Sequence, residues 1–258
     1  MLGNEDSDGQ NCLCQPVTWK WDTVGWQQVA TSPLVDTAVY DPDLAAVVAL
    51  QIDNRMDGGN DNLYEWSGGA WKALGSVPTS INYDPHLVYD TARKQLVLLL
   101  LGGQSSNTYV YSGSGWSGLG QPGPGFSDDG VAGYDPVSGG ILVKDQCSAF
   151  GGPCGSPWIW KDGAWTRITT SVTPPVAPAL VTDDPTGLVM VFNGGGPDSA
   201  WRWTGSDWQA LDYANAPSGY GSLTFDASVG GLRLVISNDQ GSPTTTWVVE
   251  NGAWKQVA

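Results

Sequence analysis

The fold is decided by residues 36–75, which read DTAVYDPDLAAVVALQIDNRMDGGNDNLYEWSGGAWKALG. A Tyr-Asp-Pro turn comes first, and an apolar run at residues 45–50 follows it. After a polar, glycine-rich stretch at 53–62, two short alternating segments flank a Ser-Gly-Gly turn. Four short strands separated by turn residues fit into this length, which predicts one compact antiparallel unit.

The same unit recurs along the 258-residue chain. Six Trp-bearing hairpins close at regular positions, with successive gaps of 43 to 49 residues. Their closing tryptophans are Trp26, Trp71, Trp116, Trp165, Trp208 and Trp254. A period of this length predicts one supersecondary unit copied in tandem, with each copy burying its faces against its neighbours.

The copies also share their turn chemistry. The aspartates that occupy the first turn are Asp41, Asp90, Asp135, Asp184 and Asp226. An Asp side chain at such a turn accepts a hydrogen bond from the backbone two residues further on. The following strand is the most apolar in each copy, as in QLVLLLL at 95–101, so we expect it to be buried on both faces. The last hairpin turns on dipeptides such as Asp-Gly at 162–163 and Asn-Gly at 251–252, which favour a tight turn.

These pieces resemble the repeats of the kelch-like β-propellers. The matching features are the Tyr-Asp-Pro turn, an apolar strand running into the double glycine at 102–103, and a W-x-W…W hairpin such as WIWKDGAW at 158–165. The resemblance covers nearly everything after residue 16 and implies an all-β propeller. The chain departs from the pattern at 237–239, where the double glycine is missing, and its single histidine excludes the Gly-His repeats of WD40 propellers. Because this fold serves binding modules and enzymes alike, the resemblance predicts architecture and no ligand.

Six Trp hairpins but only five Tyr-Asp-Pro segments predict five complete four-stranded blades and one N-terminal half blade. The expected boundaries are an acidic N-terminal segment at 1–16, a half blade at 17–30, and blades at about 36–75, 83–119, 130–168, 178–211 and 220–258. Three arrangements are compatible with this count. A ring of five closes and the first hairpin packs elsewhere, a ring of six has one half-filled position, or another chain supplies the missing strands.

Charge and hydropathy limit the partners. The net charge is −15, and the eleven Lys and Arg are dispersed along the chain, with Arg93 and Lys94 adjacent, whereas nucleic acids and anionic membranes need clustered cations. No apolar stretch approaches the roughly 20 residues of a membrane span, and no signal peptide is visible. The expected partners are therefore a protein or a glycan, with the N-terminal half blade as a site of self-association.

Two pairs of cysteines indicate in which cellular compartment the protein is expected to occur. Cys147 and Cys154 flank the loop CSAFGGPC, whose glycines and proline let it curl, so we expect a disulfide between them. For Cys12 and Cys14 three states stay open: a strained bridge to each other, pairing with another chain, or free thiols. A disulfide requires an oxidising compartment, which predicts an extracellular or periplasmic protein.

The fourteen tryptophans all lie in the repeated hairpins, where packing between blades accounts for them. Aromatic residues outside this framework are better candidates for ligand contacts, because the longest loops and the blade-to-blade connections share one rim. The predicted ligand-binding residues are Tyr83, Phe126, Phe150, Tyr213 and Tyr220. The alternative is that each of them covers the edge of a blade.

Metal-binding and catalytic candidates are sparse. Asp53, Asp57 and Asp61 form one oxygen-rich group that could hold Ca²⁺, and NEDSDG at 4–9 begins like a calcium loop but lacks its bidentate Glu. Solvated loops are the alternative for both. His86 is the only histidine, and adjacent carboxylates point to opposite faces of an extended strand, so they do not form an acid/base dyad.

Together these features favour a secreted, non-catalytic β-propeller that binds proteins or takes part in assembly through loops on one face. Two other classes stay open. One is a carbohydrate-binding lectin. The other is an enzyme, such as a lyase or glycoside hydrolase, with a carboxylate site at the mouth of the central channel.

Overall fold

The structure is a computed structural model. It describes residues 2–3, 16–22, 24–52, 61–77, 84–102, 106–113, 115–119, 123–126, 130–144, 155–174, 180–183, 187–191, 200–218, 221–227, 229–236 and 244–258. Within these ranges the regular structure is β-strand throughout. No helix among the described residues has the length and apolar character needed to cross a membrane.

The described strands form six sheets, and in each sheet neighbouring strands follow chain order. The first compact unit comprises Met1–Tyr89, Lys94–Leu100 and Asn107–Gly120 and holds sheets A, B and most of C. Sheet A contains β1 (Leu2–Gly3), β2 (Val17–Trp21) and β3 (Trp26–Thr31). Sheet B contains β4 (Thr37–Asp41), β5 (Ala46–Gln51), β6 (Asn62–Ser67) and β7 (Ala70–Ser76). Sheet C contains β8 (Asp84–Asp90), β9 (Gln95–Leu101), β10 (Asn107–Tyr111) and β11 (Trp116–Gly118).

The second compact unit comprises Asp90–Arg93, Leu101–Ser106 and Gln121–Ala258. Sheet D contains β12 (Val131–Asp135), β13 (Gly140–Lys144), β14 (Trp158–Lys161) and β15 (Ala164–Arg167). Sheet E contains β16 (Leu180–Asp183), β17 (Gly187–Val191), β18 (Ala200–Trp203) and β19 (Trp208–Leu211). Sheet F contains β20 (Gly221–Asp226), β21 (Gly231–Ile236), β22 (Thr245–Glu250) and β23 (Ala253–Gln256). The first strands of the three sheets lie beside one another, β12 next to β16 and β16 next to β20.

The core of each unit is the packing between consecutive sheets. In the first unit, Val48 and Leu50 of β5 pack with Leu96 and Leu98 of β9. All residues of β9 from Leu96 onward are buried, which confirms that the most apolar strand of the repeat is covered on both faces. In the second unit, equivalent clusters join sheet D to sheet E and sheet E to sheet F.

The first turn of the repeat is built on its aspartate, as predicted. Asp41 Oδ1 accepts hydrogen bonds from the backbone N–H groups of Asp43 and Leu44, at 2.9 and 3.1 Å. Asp90 and Asp135 bind the amides two and three residues further on in the same way. These carboxylates hold the chain reversal between the first two strands of their sheets.

The last hairpin turns as its dipeptides predict. Asp162 and Gly163 have φ of 53° and 76°, and Asn251 and Gly252 have φ of 53° and 77°. Two consecutive left-handed residues define a type I′ turn, whose twist matches that of the strands it joins. The turn therefore sets the register that places the two tryptophan-bearing strands opposite each other.

The N-terminal hairpin packs on sheet B of the same chain. The Trp71 indole Nε1 donates a 2.7 Å hydrogen bond to Thr18 Oγ1, and Val17 and Thr18 are buried. On its other side β2 pairs with β1 over only two positions, Leu2 with Thr18 and Gly3 with Val17. Within the described residues, sheet A thus has a full outer hairpin and a third strand, β1, of two residues.

Candidate ligand-binding surfaces

Each outer hairpin carries one pair of opposed residues beside its turn. The two members are direct cross-strand partners, so their side chains emerge on the same face of the sheet. The pairs are Trp21–Trp26, Trp66–Trp71, Tyr111–Trp116, Trp160–Trp165, Trp203–Trp208 and Val249–Trp254. In the first, second, third and fifth pairs the ring centroids lie 5.0–5.4 Å apart. The tandem repeat thus produces a series of aromatic pairs at one position of the blade.

Solvent reaches these pairs unequally. Trp203, Trp208 and Trp254, which belong to the second unit, are buried. Both members of each pair in the first unit are half-buried. Packing therefore accounts for the rings of sheets E and F, as predicted, but leaves ring surface accessible in sheets A, B and C.

In the second unit, blade-to-blade connections cover the closing tryptophans. Phe126 is 4% exposed and packs on Trp165, with ring centroids 5.7 Å apart. Tyr213 is half-buried and makes an edge contact with Trp254 at 6.2 Å. Both were predicted to contact a ligand from the rim. The burial of Phe126 agrees instead with the alternative that such residues cover the edge of a blade.

The connection before sheet E is held by a carboxylate. Asp207 accepts hydrogen bonds from the backbone N–H groups of Ser171, Val172 and Trp208, at 2.9–3.2 Å, and from the Ser171 hydroxyl. These donors, the Ser171 hydroxyl foremost, lower the pKa of Asp207 to about 2. An ionised Asp207 therefore ties the connection to the turn of the next outer hairpin.

Most of the other predicted site residues lie outside the described ranges. They are Tyr83, Phe150, Tyr220, Asp53, Asp57 and all four cysteines. The third residue of the predicted calcium group, Asp61, lies just before β6 and is buried. Among the described residues, no group of three or more His, Cys, Asp or Glu side chains could hold a metal ion. The calcium site at Asp53, Asp57 and Asp61 and the Cys147–Cys154 disulfide stay predictions.

The buried aspartates of the repeat have structural partners. Beyond its turn amides, Asp135 accepts a 3.1 Å hydrogen bond from the indole Nε1 of Trp203, which joins sheet D to sheet E. Asp90 is fully buried and pairs with Arg93 at 2.9 Å. These donors occupy the carboxylate lone pairs that acid/base chemistry would use. His86 is half-buried within β8.

The tip of the first hairpin combines aromatic and polar groups. Beside the Trp21–Trp26 pair, Asp22 Oδ1 accepts hydrogen bonds from the backbone N–H groups of Val24 and Gly25, at 3.1 and 3.0 Å. These amides lower the pKa of Asp22. The Gln27 side-chain amide donates to its second oxygen. Two half-buried rings next to a fixed carboxylate and an amide offer an apolar contact and hydrogen-bonding groups together.

A second surface lies on sheet B. One row of cross-strand partners crosses the whole sheet, from Tyr40 through Val47 and Trp66 to Trp71. This row is on the face towards sheet A, because Trp71 is the residue that donates to Thr18. Trp71, Trp66 and Val47 are half-buried, and Tyr40 at the inner end of the row is exposed.

Tyr40, at that inner end, is 57% exposed, whereas Tyr89 and Tyr134, which precede the turn aspartate in the next two copies, are 5% and 6% exposed. Tyr40 is not among the ligand-binding residues predicted from the sequence. The sequence signal that could have found it is the count of six Trp hairpins against five Tyr-Asp-Pro segments, which sets the first complete blade apart from the later copies.

No protein-family model matches the chain, and no curated protein matches its sequence. Solved structures do match. A fungal lectin from Aleuria aurantia, described as a six-bladed β-propeller with a novel fucose recognition mode, aligns with a TM-score of 0.60 at 13% identity over 94% of this chain and 86% of that one. A chain of a nidogen–laminin complex aligns with a TM-score of 0.59 at 12% identity, over 92% and 85%. The SapL1 lectin, in complex with α-methyl fucoside, aligns with a TM-score of 0.56 at 13% identity, over 87% and 79%.

These similarities establish the fold. The prediction of an all-β β-propeller is confirmed. At identities of 10–14% the comparison shows that the backbones share an architecture, and it says nothing about the chemistry of a site. The blade number of the ring and the assignment to the kelch-like repeats stay predictions.

Proposed function

We propose that this chain is a non-catalytic binding module whose ligand is a carbohydrate, held against the half-buried aromatic pair Trp21–Trp26. The observation that carries the proposal is the unequal exposure of equivalent pairs. Trp203–Trp208 is buried as packing requires, whereas Trp21–Trp26 keeps accessible ring surface. A pyranose offers an apolar C–H face that packs on an aromatic ring, while its hydroxyls need polar partners.

The polar groups at this tip suit such a ligand. The backbone amides of Gly25 and Val24 lower the pKa of Asp22, and its carboxylate oxygens can accept hydrogen bonds from sugar hydroxyls. The Gln27 amide supplies a donor and an acceptor beside it. The lectins among the structural neighbours, one of them bound to α-methyl fucoside, support a carbohydrate over the protein ligand that the sequence favoured.

Two parts of the proposal rest on the sequence. Secretion to an extracellular or periplasmic compartment follows from the expected Cys147–Cys154 disulfide. The absence of catalysis follows from the sparse acid/base groups, and the turn aspartates Asp41, Asp90 and Asp135 are engaged by their own backbone amides. A lyase or glycoside hydrolase is the alternative, and it predicts turnover of the bound glycan.

A glycan array probed with the full chain and two variants tests the proposal. Trp26→Ala removes half of the aromatic pair, and Val29→Ala, on the same strand and 38% exposed, is the matched control. We expect selective glycan binding that Trp26→Ala weakens by at least about tenfold and Val29→Ala leaves unchanged, with both variants folded by circular dichroism.

The outcomes separate the alternatives. Absence of binding to any glycan by the folded chain would refute the carbohydrate ligand, and equal binding by Trp26→Ala would refute the site. Mass spectrometry of the glycan after incubation distinguishes binding from catalysis, because a cleaved or unsaturated product would establish an enzyme.

A further inference from the structure

The first hairpin carries a third indole beside the pair proposed to hold a glycan. Trp19 and Trp21 alternate on β2, and the cross-strand partners are Trp21 with Trp26 and Trp19 with Gln28. Alternate residues of a strand and their direct partners emerge on one face of a sheet. We call Trp19, Trp21 and Trp26 the indole row, and all three are half-buried.

The hairpin packs on sheet B through its other face. Thr18, which precedes Trp19 and therefore points the opposite way, accepts the hydrogen bond from Trp71. Sheets D and E repeat the W-x-W…W motif, but there the middle indole, Trp160 or Trp203, is 2% or 0% exposed. The indole row thus keeps accessible ring surface at a position that is buried in the second unit.

Polar groups lie at both ends of the indole row. Asp22 follows Trp21, and its carboxylate is held by two backbone amides of its own turn. At the other end the exposed Gln28, opposite Trp19, offers a hydrogen-bond donor and an acceptor. Rings that contact C–H groups, between side chains that bind hydroxyls, suit a sugar chain. The carboxylate of Asp22, in a chain of net charge −15, disfavours an acidic sugar because like charges repel.

The length of the indole row sets the size of the ligand. Residues two apart on a strand are separated by about 6.6 Å, so Trp19 lies about one sugar residue away from the Trp21–Trp26 pair. A single pyranose is too short to contact both. Because β2 is extended, a chain that follows it has to be extended as well. Pyranoses joined by β-1,4 bonds form such chains, whereas α-1,4-linked glucose coils.

We propose that the indole row binds an extended, uncharged chain of β-1,4-linked pyranoses, with one sugar against Trp21–Trp26 and the next against Trp19. This inference rests on the proposed function and names the class of glycan that the site takes. Contact is spread over linked sugars, so the site recognises a stretch of a chain rather than a single terminal sugar.

Isothermal titration calorimetry of the full chain with glucose, cellobiose, cellotriose and cellotetraose tests the inference. We expect the affinity to rise at least about tenfold from glucose to cellotriose, because a longer chain adds the contact with Trp19. Trp19→Ala should weaken cellotetraose binding about tenfold and remove the dependence on length. Lys20→Ala is the matched control, since Lys20 is exposed on the opposite face of the same strand, and it should leave the affinity unchanged.

A second variant covers the case in which Trp19→Ala does not fold. Gln28→Ala changes an exposed side chain at the same end of the indole row. The loss of its hydrogen bond should weaken cellotetraose binding about threefold. Circular dichroism establishes that each variant is folded.

The remaining probes decide the class of glycan. Maltotetraose, which is α-1,4-linked, and tetramannuronate, which is β-1,4-linked and acidic, should each bind at least about tenfold more weakly than cellotetraose. Equal binding of either probe, an affinity independent of chain length, or unchanged cellotetraose binding by folded Trp19→Ala would overturn the inference. If cellotetraose does not bind but the array shows Trp26-dependent binding of a terminal sugar, the carbohydrate function stands and this inference fails. Absence of binding to every glycan refutes both.

Discussion

The hydrogen bond between Trp203 and Asp135 should be one of the single contacts that contribute most to the stability of the second unit. Trp203 is fully buried, and its Nε1 lies 3.1 Å from Asp135 Oδ2 on the neighbouring sheet. Trp203→Phe keeps an aromatic ring next to Trp208, 5.0 Å away in the native pair, but removes the donor.

The expected cost has two parts. A buried hydrogen bond to a charged group contributes about 1.5–3 kcal/mol. The smaller ring leaves a space of roughly 40 Å³, which at about 24 cal/mol per Å³ adds about 1 kcal/mol. The free energy of unfolding should therefore fall by about 3 kcal/mol. Trp208→Phe makes the same change of size in the same hairpin without removing a donor to Asp135, so it should cost only about 1 kcal/mol.

Urea denaturation followed by circular dichroism gives both values, with the denaturation slope checked for each variant. The double variant Trp203→Phe/Asp135→Asn completes a cycle and isolates the coupling between the two side chains. If Trp203→Phe and Trp208→Phe destabilise the protein equally, within about 0.5 kcal/mol, the indole bond contributes nothing and the argument from burial fails.

Three further predictions concern the other connections. Trp165→Ala should lower the free energy of unfolding by about 3–5 kcal/mol, because the Trp165 ring packs with Phe126. A decrease below about 1 kcal/mol would show that packing does not need the ring and would support a role in ligand stacking. The pKa of Asp207 is lowered in the folded chain to about 2 from 3.8, so its stabilising contribution is present above that unfolded value and is lost as the pH falls towards 2. The melting temperature of Asp207→Asn should therefore depend less on pH in this window, and an unchanged acid profile would contradict the role of this carboxylate. Mass spectrometry of unreduced peptides should find Cys147 linked to Cys154, and two free thiols would remove the main support for an oxidising compartment.

Sequence alone identified the features that depend on local geometry. Asp41 builds its turn from amides two and three residues away, so the Asp-bearing segment suffices to predict it. The left-handed turn at Asp162 and Gly163 follows equally from its dipeptide. The run in β9 predicted a strand covered on both faces, because the six consecutive apolar residues that follow Gln95 leave no polar side for solvent. Repetition of these local signals at a constant period then predicted the β-propeller.

The tertiary structure decided which side chains are accessible. Phe126 lies in a long connection, from which it was expected either to contact a ligand or to cover the edge of a blade, and it is 4% exposed because it packs on Trp165. Tyr40 and Tyr89 occupy the same position of the same repeat but are 57% and 5% exposed. Among the residues that the structure describes, the sheet before Tyr89 has four full strands, whereas the sheet before Tyr40 has an outer hairpin and the two-residue strand β1. The exposed fraction of a side chain depends on which neighbouring element packs over it, and that element can lie tens of residues away in the sequence.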